Sequence, residues 1–127
     1  MNDRLRFRVW DKRLNRYLGE YDPIQMLMSN GNLAYLDDYG MKFYEVEQCT
    51  GLKDRKGGLI YAGDIVKVPN DWEKYGFLSG TIREVFFNNG GFRLKPQFNK
   101  NSRGNWLEDT EDFEICGNIH ENKELLK

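Results

Sequence analysis

The chain has little of what reactive chemistry or membrane passage requires. Among its 127 residues there is one histidine, His120, and there are two cysteines, Cys49 and Cys116. With no CxxC spacing, the two thiols form neither a zinc ligand set nor a disulfide framework. The expectation is free thiols in a reducing cytoplasm. No apolar run reaches the length of about 18 residues that a membrane helix needs. The opening MNDRLRFRVW lacks the apolar stretch of a signal peptide. Neither sign of charge dominates, with 19 basic residues against 20 acidic ones and a net charge of −1. That balance argues against a globally basic nucleic-acid binder.

The same scarcity limits catalysis. His120 stands beside Glu121, and neither Ser79 nor Ser102 sits in a nucleophile elbow. The acid pairs Asp37-Asp38, Glu108-Asp109 and Glu111-Asp112 are sequence neighbours, whose side chains diverge in an extended chain. A metal site would draw on Cys116, His120 and Cys49. If 116–120 is extended, the first two lie about 13 Å apart at the rise of a strand, too far to share one zinc ion. No GxxxxGK[ST] phosphate loop occurs. The expectation is a protein that is not an enzyme, with no catalytic residues, metal or cofactor.

What the chain does have is rings and turns: 14% of its residues are aromatic, and it has 13 glycines against three prolines. That mixture suits short strands joined by tight turns. Leu5 to Val9 alternates, placing Leu5, Phe7 and Val9 on one face and Arg4, Arg6, Arg8 and Trp10 on the other. Residues 11–15 read as a hairpin turn and 16–18 as a returning strand. Asp22-Pro23 is a helix start, with Asp22 as N-cap, and residues 33–44 read as a loose hairpin. Strands follow at 44–49, 60–61, 65–68, 80–87, 92–95 and 113–119. Asn88-Asn89-Gly90-Gly91 is the tight hairpin turn between two of them, and a final helical turn begins near Asn122. The stretch 70–79 is an excursion with three rings. Its order predicts a mainly β (α+β) fold: a small SH3-like β-barrel over 51–127 and an N-terminal α+β part over 1–50, sharing one core.

The richest local signal is Gln48 to Val68, QCTGLKDRKGGLIYAGDIVKV. Lys53 to Gly58 has no apolar side chain to bury and reads as an exposed turn. Gly63-Asp64 breaks the pattern before Ile65-Val66-Lys67-Val68, so Asp64 is a turn former rather than a catalytic acid. Pro69 ends that strand. Four blocks resemble the YopX family of phage and prophage proteins: Phe7-Arg8-Val9-Trp10-Asp11; Thr50-Gly51-Leu52-Lys53-Asp54 with Gly57; Ile60-Tyr61 with Gly63-Asp64-Ile65-Val66; and Ile115 with Gly117-Asn118-Ile119, then Glu121-Asn122 and Glu124-Leu125-Leu126. Ala62, Cys49 and Lys123 depart from the pattern without breaking a turn or strand. The resemblance implies a phage context and supports the barrel. It carries no catalytic residues.

Charge is unevenly placed. Arg4, Arg6, Arg8, Lys12, Arg13 and Arg16 face a single acid, Asp11, over 4–16, whereas 108–114 holds Glu108, Asp109, Glu111, Asp112 and Glu114 and no base. Three pairings are open: Asp112 and Glu114 against the Arg row within one chain, the basic end of one copy against the acidic end of another, or the Arg row on nucleic-acid phosphates with a ring stacked on a base. The leading expectation is a homo-oligomeric interaction module that contacts itself or an unidentified phage or host protein. Nucleic-acid binding is the alternative, and no membrane is involved. The candidate binding residues are Arg4, Arg6, Arg8, Trp10, Trp72, Tyr75 and Trp106. Phe77 and Phe98 lie in the same ring-bearing loops, and Phe77 is expected to seal the barrel.

Overall fold

Alternating runs become strands throughout. A computed structural model describes residues 6–12, 14–21, 44–88, 90–96 and 104–126. Contacts divide the chain into two units, Met1–Cys49 and Thr50–Lys127. The expected helix at Asp22 and hairpin over 33–44 lie outside the described residues, apart from Tyr44, as do Arg4 and Phe98.

In the first unit, β1 (Phe7–Asp11) pairs antiparallel with β2 (Arg16–Tyr21) and with the start of β3 (Tyr44–Lys53). The hairpin forms where expected. Asp11 accepts the Asn15 N–H at 2.8 Å through its carbonyl and the Leu14 N–H at 3.2 Å through Oδ1. Asn15 takes the left-handed φ of 56°, a conformation its short polar side chain tolerates.

The parity of β1 is as expected, but the face carrying Arg8 and Trp10 is closed. Trp10 is only 3% exposed and meets Tyr17 edge to face at 4.8 Å. A register shift between Arg8 and Trp10 brings Trp10 opposite Tyr17. Arg8 Nε donates to Glu47 Oε1 at 2.7 Å, and its guanidinium lies 4.5 Å over the Tyr17 ring. Tyr17 also donates to Glu47, at 2.9 Å. Arg8 therefore pairs within the chain with Glu47, its register partner on β3. Asp112 and Glu114 reach Lys74 and Arg55.

In the second unit, β4 (Leu59–Tyr61) lies beside the end of β3. Thr50 Oγ1 holds the two together by donating to the Ile60 carbonyl at 2.8 Å and accepting from Leu52 N at 3.0 Å. A five-stranded antiparallel sheet follows, built from β5 (Asp64–Lys67), β6 (Ile82–Asn88), β7 (Gly91–Leu94), β8 (Asn105–Trp106) and β9 (Glu114–Asn118). Its order is β8-β7-β6-β5-β9. The two-residue β8 is an addition to the expected elements. Ile60, Val66, Val68, Val85, Leu94 and Phe113 form the centre of the core.

The turns of this unit are fixed by carboxylates. Asp64 Oδ2 accepts the Tyr61 N–H at 2.7 Å, the turn-forming role expected of it. Asp54 is buried although its neighbours Arg55 to Gly58 are exposed. Its Oδ1 accepts from Lys56 N and Gly58 N, and its Oδ2 reaches the N–H of Ile115 on β9 at 3.1 Å.

Candidate interaction surface

Among the described residues of the second unit, the loop from β5 to β6 carries the most exposed rings. Its base is closed by Val68 N donating to Thr81 O at 2.8 Å and Gly80 N donating to Pro69 O at 3.1 Å. Inside it, one helical turn, α1 (Trp72–Tyr75), starts at Asp71, whose carboxylate accepts the Lys74 N–H at 3.2 Å. Four residues carry no helical period, which is why the stretch reads only as an excursion in sequence. Gly76 ends the turn at φ 57°, a backbone region that glycine enters without a Cβ clash. A 3-10 turn, Gly76–Leu78, then leads to Thr81, whose hydroxyl donates to Leu78 O at 2.6 Å.

This frame sorts its side chains. Tyr75 and Leu78 turn inward, Tyr75 packing on Phe113 at 5.5 Å between centroids. Trp72 and Phe77 turn outward, 63% and 89% exposed, and meet each other edge to face at 5.1 Å. Phe77 does not seal the barrel: the reversal at Gly76 carries it away from the core. Lys74 Nζ sits 3.6 Å from Asp112, tying the loop to the 3-10 turn Thr110–Asp112. The Tyr75 phenol, and after it Asp112, hold the Lys74 ammonium above its ordinary value. Asp71 and Glu73, on either side of Trp72, and Asp112, on Lys74, are all exposed, so carboxylates flank the loop.

A second aromatic feature crosses β6, β7 and β8, where Phe86, Arg93 and Trp106 are register partners. The buried Arg93 guanidinium stacks 3.7 Å from the Trp106 ring. It is fixed by donating to the carbonyls of Asn88 and Gly104 at 3.2 and 3.3 Å. Gly91 makes room for that ring, because a Cβ there would overlap it. Nearby, Lys95 bridges to Glu84 at 3.2 Å and lies over Phe86. An open groove of about 420 Å³ runs between Thr81 to Glu84, Lys95-Pro96 and Leu125-Leu126. Its acid, Glu84, is the one paired with Lys95.

The family described as YopX protein matches residues 6–127. The chain belongs to the YopX family. Two solved structures share the fold along nearly the whole length. Protein EF1440 from Enterococcus faecalis is 25% identical with a TM-score of 0.60, over 96% of this chain and 97% of that one. Protein YopX from Bacillus subtilis is 18% identical with a TM-score of 0.53, over 100% of both chains. Among curated proteins none matches.

The YopX signature blocks and the exposed rings occupy different places. Asp54, Asp64, Thr50 and Gly117 sit at turns and strand contacts, whereas Trp72, Phe77 and Trp106 lie between the blocks. Of the residues expected to bind, Arg6, Trp72 and Trp106 are exposed, Tyr75 is half-buried, and Arg8 and Trp10 lie on the closed face of β1. Trp72 is brought together with Phe77. The sequence reading missed the exposure of Phe77, for which Gly76 immediately before it was the available signal. It also missed Arg93, whose place beneath Trp106 depends on the register of the 88–91 turn. Cys116 donates to Ile65 O at 3.4 Å. Burial first, then the charge of Glu114, push its thiol up and away from the reactive thiolate.

Removing the outward rings is expected to leave the fold untouched. Trp72→Ala and Phe77→Ala should each shift the unfolding free energy by no more than about 0.5 kcal/mol, as surface changes do. Urea denaturation checks this, and a larger loss would place the rings in the core.

Proposed function

We propose that this YopX-family chain is a non-enzymatic phage accessory protein. It works as a homo-oligomeric interaction module in the cytoplasm of a bacterial host, with the 68–81 loop as its contact surface. The observation that carries the reading is the Trp72–Phe77 pair, exposed on a loop that is closed at its base and anchored inward by Tyr75 and Leu78. A large apolar side chain stabilises association by about 1.5–3 kcal/mol when it leaves water, and tryptophan is enriched among the residues that dominate interfaces. Because the loop is ordered beforehand, little of that is offset by ordering on binding.

The second unit is assigned as an SH3-like barrel. Support comes from the strand order β8-β7-β6-β5-β9, the long β5–β6 loop, the tight β6–β7 hairpin and the 3-10 turn before β9. Fold alone does not name a partner.

Sedimentation velocity tests the function. Wild-type mass should rise with concentration, and the Trp72→Ala/Phe77→Ala double variant should remain monomeric. A wild-type chain that stays monomeric at every concentration would overturn the reading.

The stack of Trp106 on Arg93, beside Phe86 and Lys95, favours one second reading, the binding of single-stranded nucleic acid by ring stacking and cations. Of the described candidate arginines Arg6 and Arg8, Arg6 is exposed. Fluorescence anisotropy with a generic oligonucleotide should then show affinity that falls steeply with salt and weakens in Trp106→Ala and Arg6→Ala. No binding at low salt ends that reading.

A further inference from the structure

Resting on the self-association just proposed, we infer that the Trp72–Phe77 surface receives the tip of the β1–β2 hairpin of a second copy of this chain. The tip carries Leu14, 55% exposed, between the exposed Lys12 and Arg16. The tip is already shaped by the Asp11 bonds to Leu14 N and Asn15 N, so presenting Leu14 requires no further ordering. Lys12 has a 3.3 Å contact with Glu45 in which both side chains are about two-fifths exposed. A pair that open is weak, and Lys12 is available to a stronger field.

The receiving surface is its complement. Two edge-to-face rings, 5.1 Å apart between centroids, offer it exposed apolar surface. Asp71 and Glu73 flank Trp72 in the chain, and Asp112 reaches Lys74 on the same loop. Within residues 69–81 and 108–114, Lys74 is the single cation, and it is held by Asp112. Opposite charge at the rims steers the encounter and sets its orientation. Hairpin against hairpin, or ring surface against ring surface, would set like charges together, which disfavours the pairing of like patches. The contact therefore joins unlike patches, the hairpin of one copy on the rings of another.

Two variants with complementary defects test this. Lys12→Glu/Arg16→Glu spoils the hairpin and keeps the rings. Trp72→Ala/Phe77→Ala spoils the rings and keeps the hairpin. Each alone should lose self-association by about tenfold or more, with circular dichroism and melting temperature as in the wild type. Mixed one to one, they retain one working contact between them and should form a dimer that grows no further. Leu14→Ala, which changes no charge, should also weaken association, and added salt should weaken the wild type. If the hairpin variant associates like the wild type, or the mixture of folded variants stays monomeric, the hairpin assignment is wrong while self-association through the rings survives. A wild-type chain that is monomeric throughout overturns the reading beneath it.

Discussion

Asp54→Ala should destabilise the second unit by about 3 kcal/mol or more, since the carboxylate accepts from three amides and a hydrogen bond to a charged group contributes about 1.5–3 kcal/mol. The carboxylate serves three amides, those of Lys56, Gly58 and Ile115, and the last of these connects the 54–58 turn to β9. Urea denaturation measures the loss, and a change below about 1 kcal/mol would show that the turn does not depend on this carboxylate. Burial alone would raise its pKa. The amide bonds of Ile115, Gly58 and Lys56, with the Lys56 charge, outweigh burial and hold it below its ordinary 3.8. For a depressed folded value the sign is definite: the contribution is full above the ordinary value and is lost as pH falls through the lower folded one. Wild-type stability should therefore drop in the acid range below about pH 4, and Asp54→Asn should remove this part of the drop.

Gly117→Ala is the second large effect, expected to cost about 2 kcal/mol as overpacking does. A Cβ at position 117 would stand 2.7 Å from Asn122 Cβ and 2.6 Å from its Cγ. These are atoms close to the backbone, not the free end of a long chain, so Asn122 must move as a whole. Its Oδ1 accepts the Asn118 N–H at 3.1 Å, its own N–H reaches Asn118 O at 2.9 Å, and its carbonyl receives Leu125 N at 3.0 Å. Displacing it releases the final 3-10 turn, Lys123–Leu126. Thermal unfolding should fall, and amide exchange should quicken over 118–126 before it does elsewhere. Unchanged exchange there would contradict the role assigned to Gly117.

These two residues explain why the family blocks were legible as architecture. A loop that ends in glycines, a Gly-Asp before a β-branched run and an Asn-Gly hairpin each declare a local backbone shape, and local shape is what sequence patterns record. The strands expected at 5–9, 44–49, 65–68 and 80–87 followed from the same patterns and formed as Phe7–Asp11, Tyr44–Lys53, Asp64–Lys67 and Ile82–Asn88. Partners distant in the chain were illegible. Alternation puts Arg8 and Trp10 on one face, but it does not say that Glu47, 39 residues away, will lie opposite Arg8 and close that face. Nor does it distinguish a ring that fills a core from one that faces water. Phe77 and Tyr75 are two residues apart and equally apolar in sequence, and only the φ of 57° at Gly76 separates their fates. The surface proposed for function was visible as a ring-rich loop, whereas the direction its rings point needed the fold.

That direction is the central claim, and hydroxyl-radical footprinting reads it directly. At high dilution Trp72 and Phe77 should be among the most readily oxidised rings of the chain. As concentration rises and copies associate, their oxidation rates should fall together, while Trp106 keeps its own. If the mass of the protein rises with concentration and the two rings oxidise as fast as before, the contact lies elsewhere and the loop is not the surface through which this protein meets its partners.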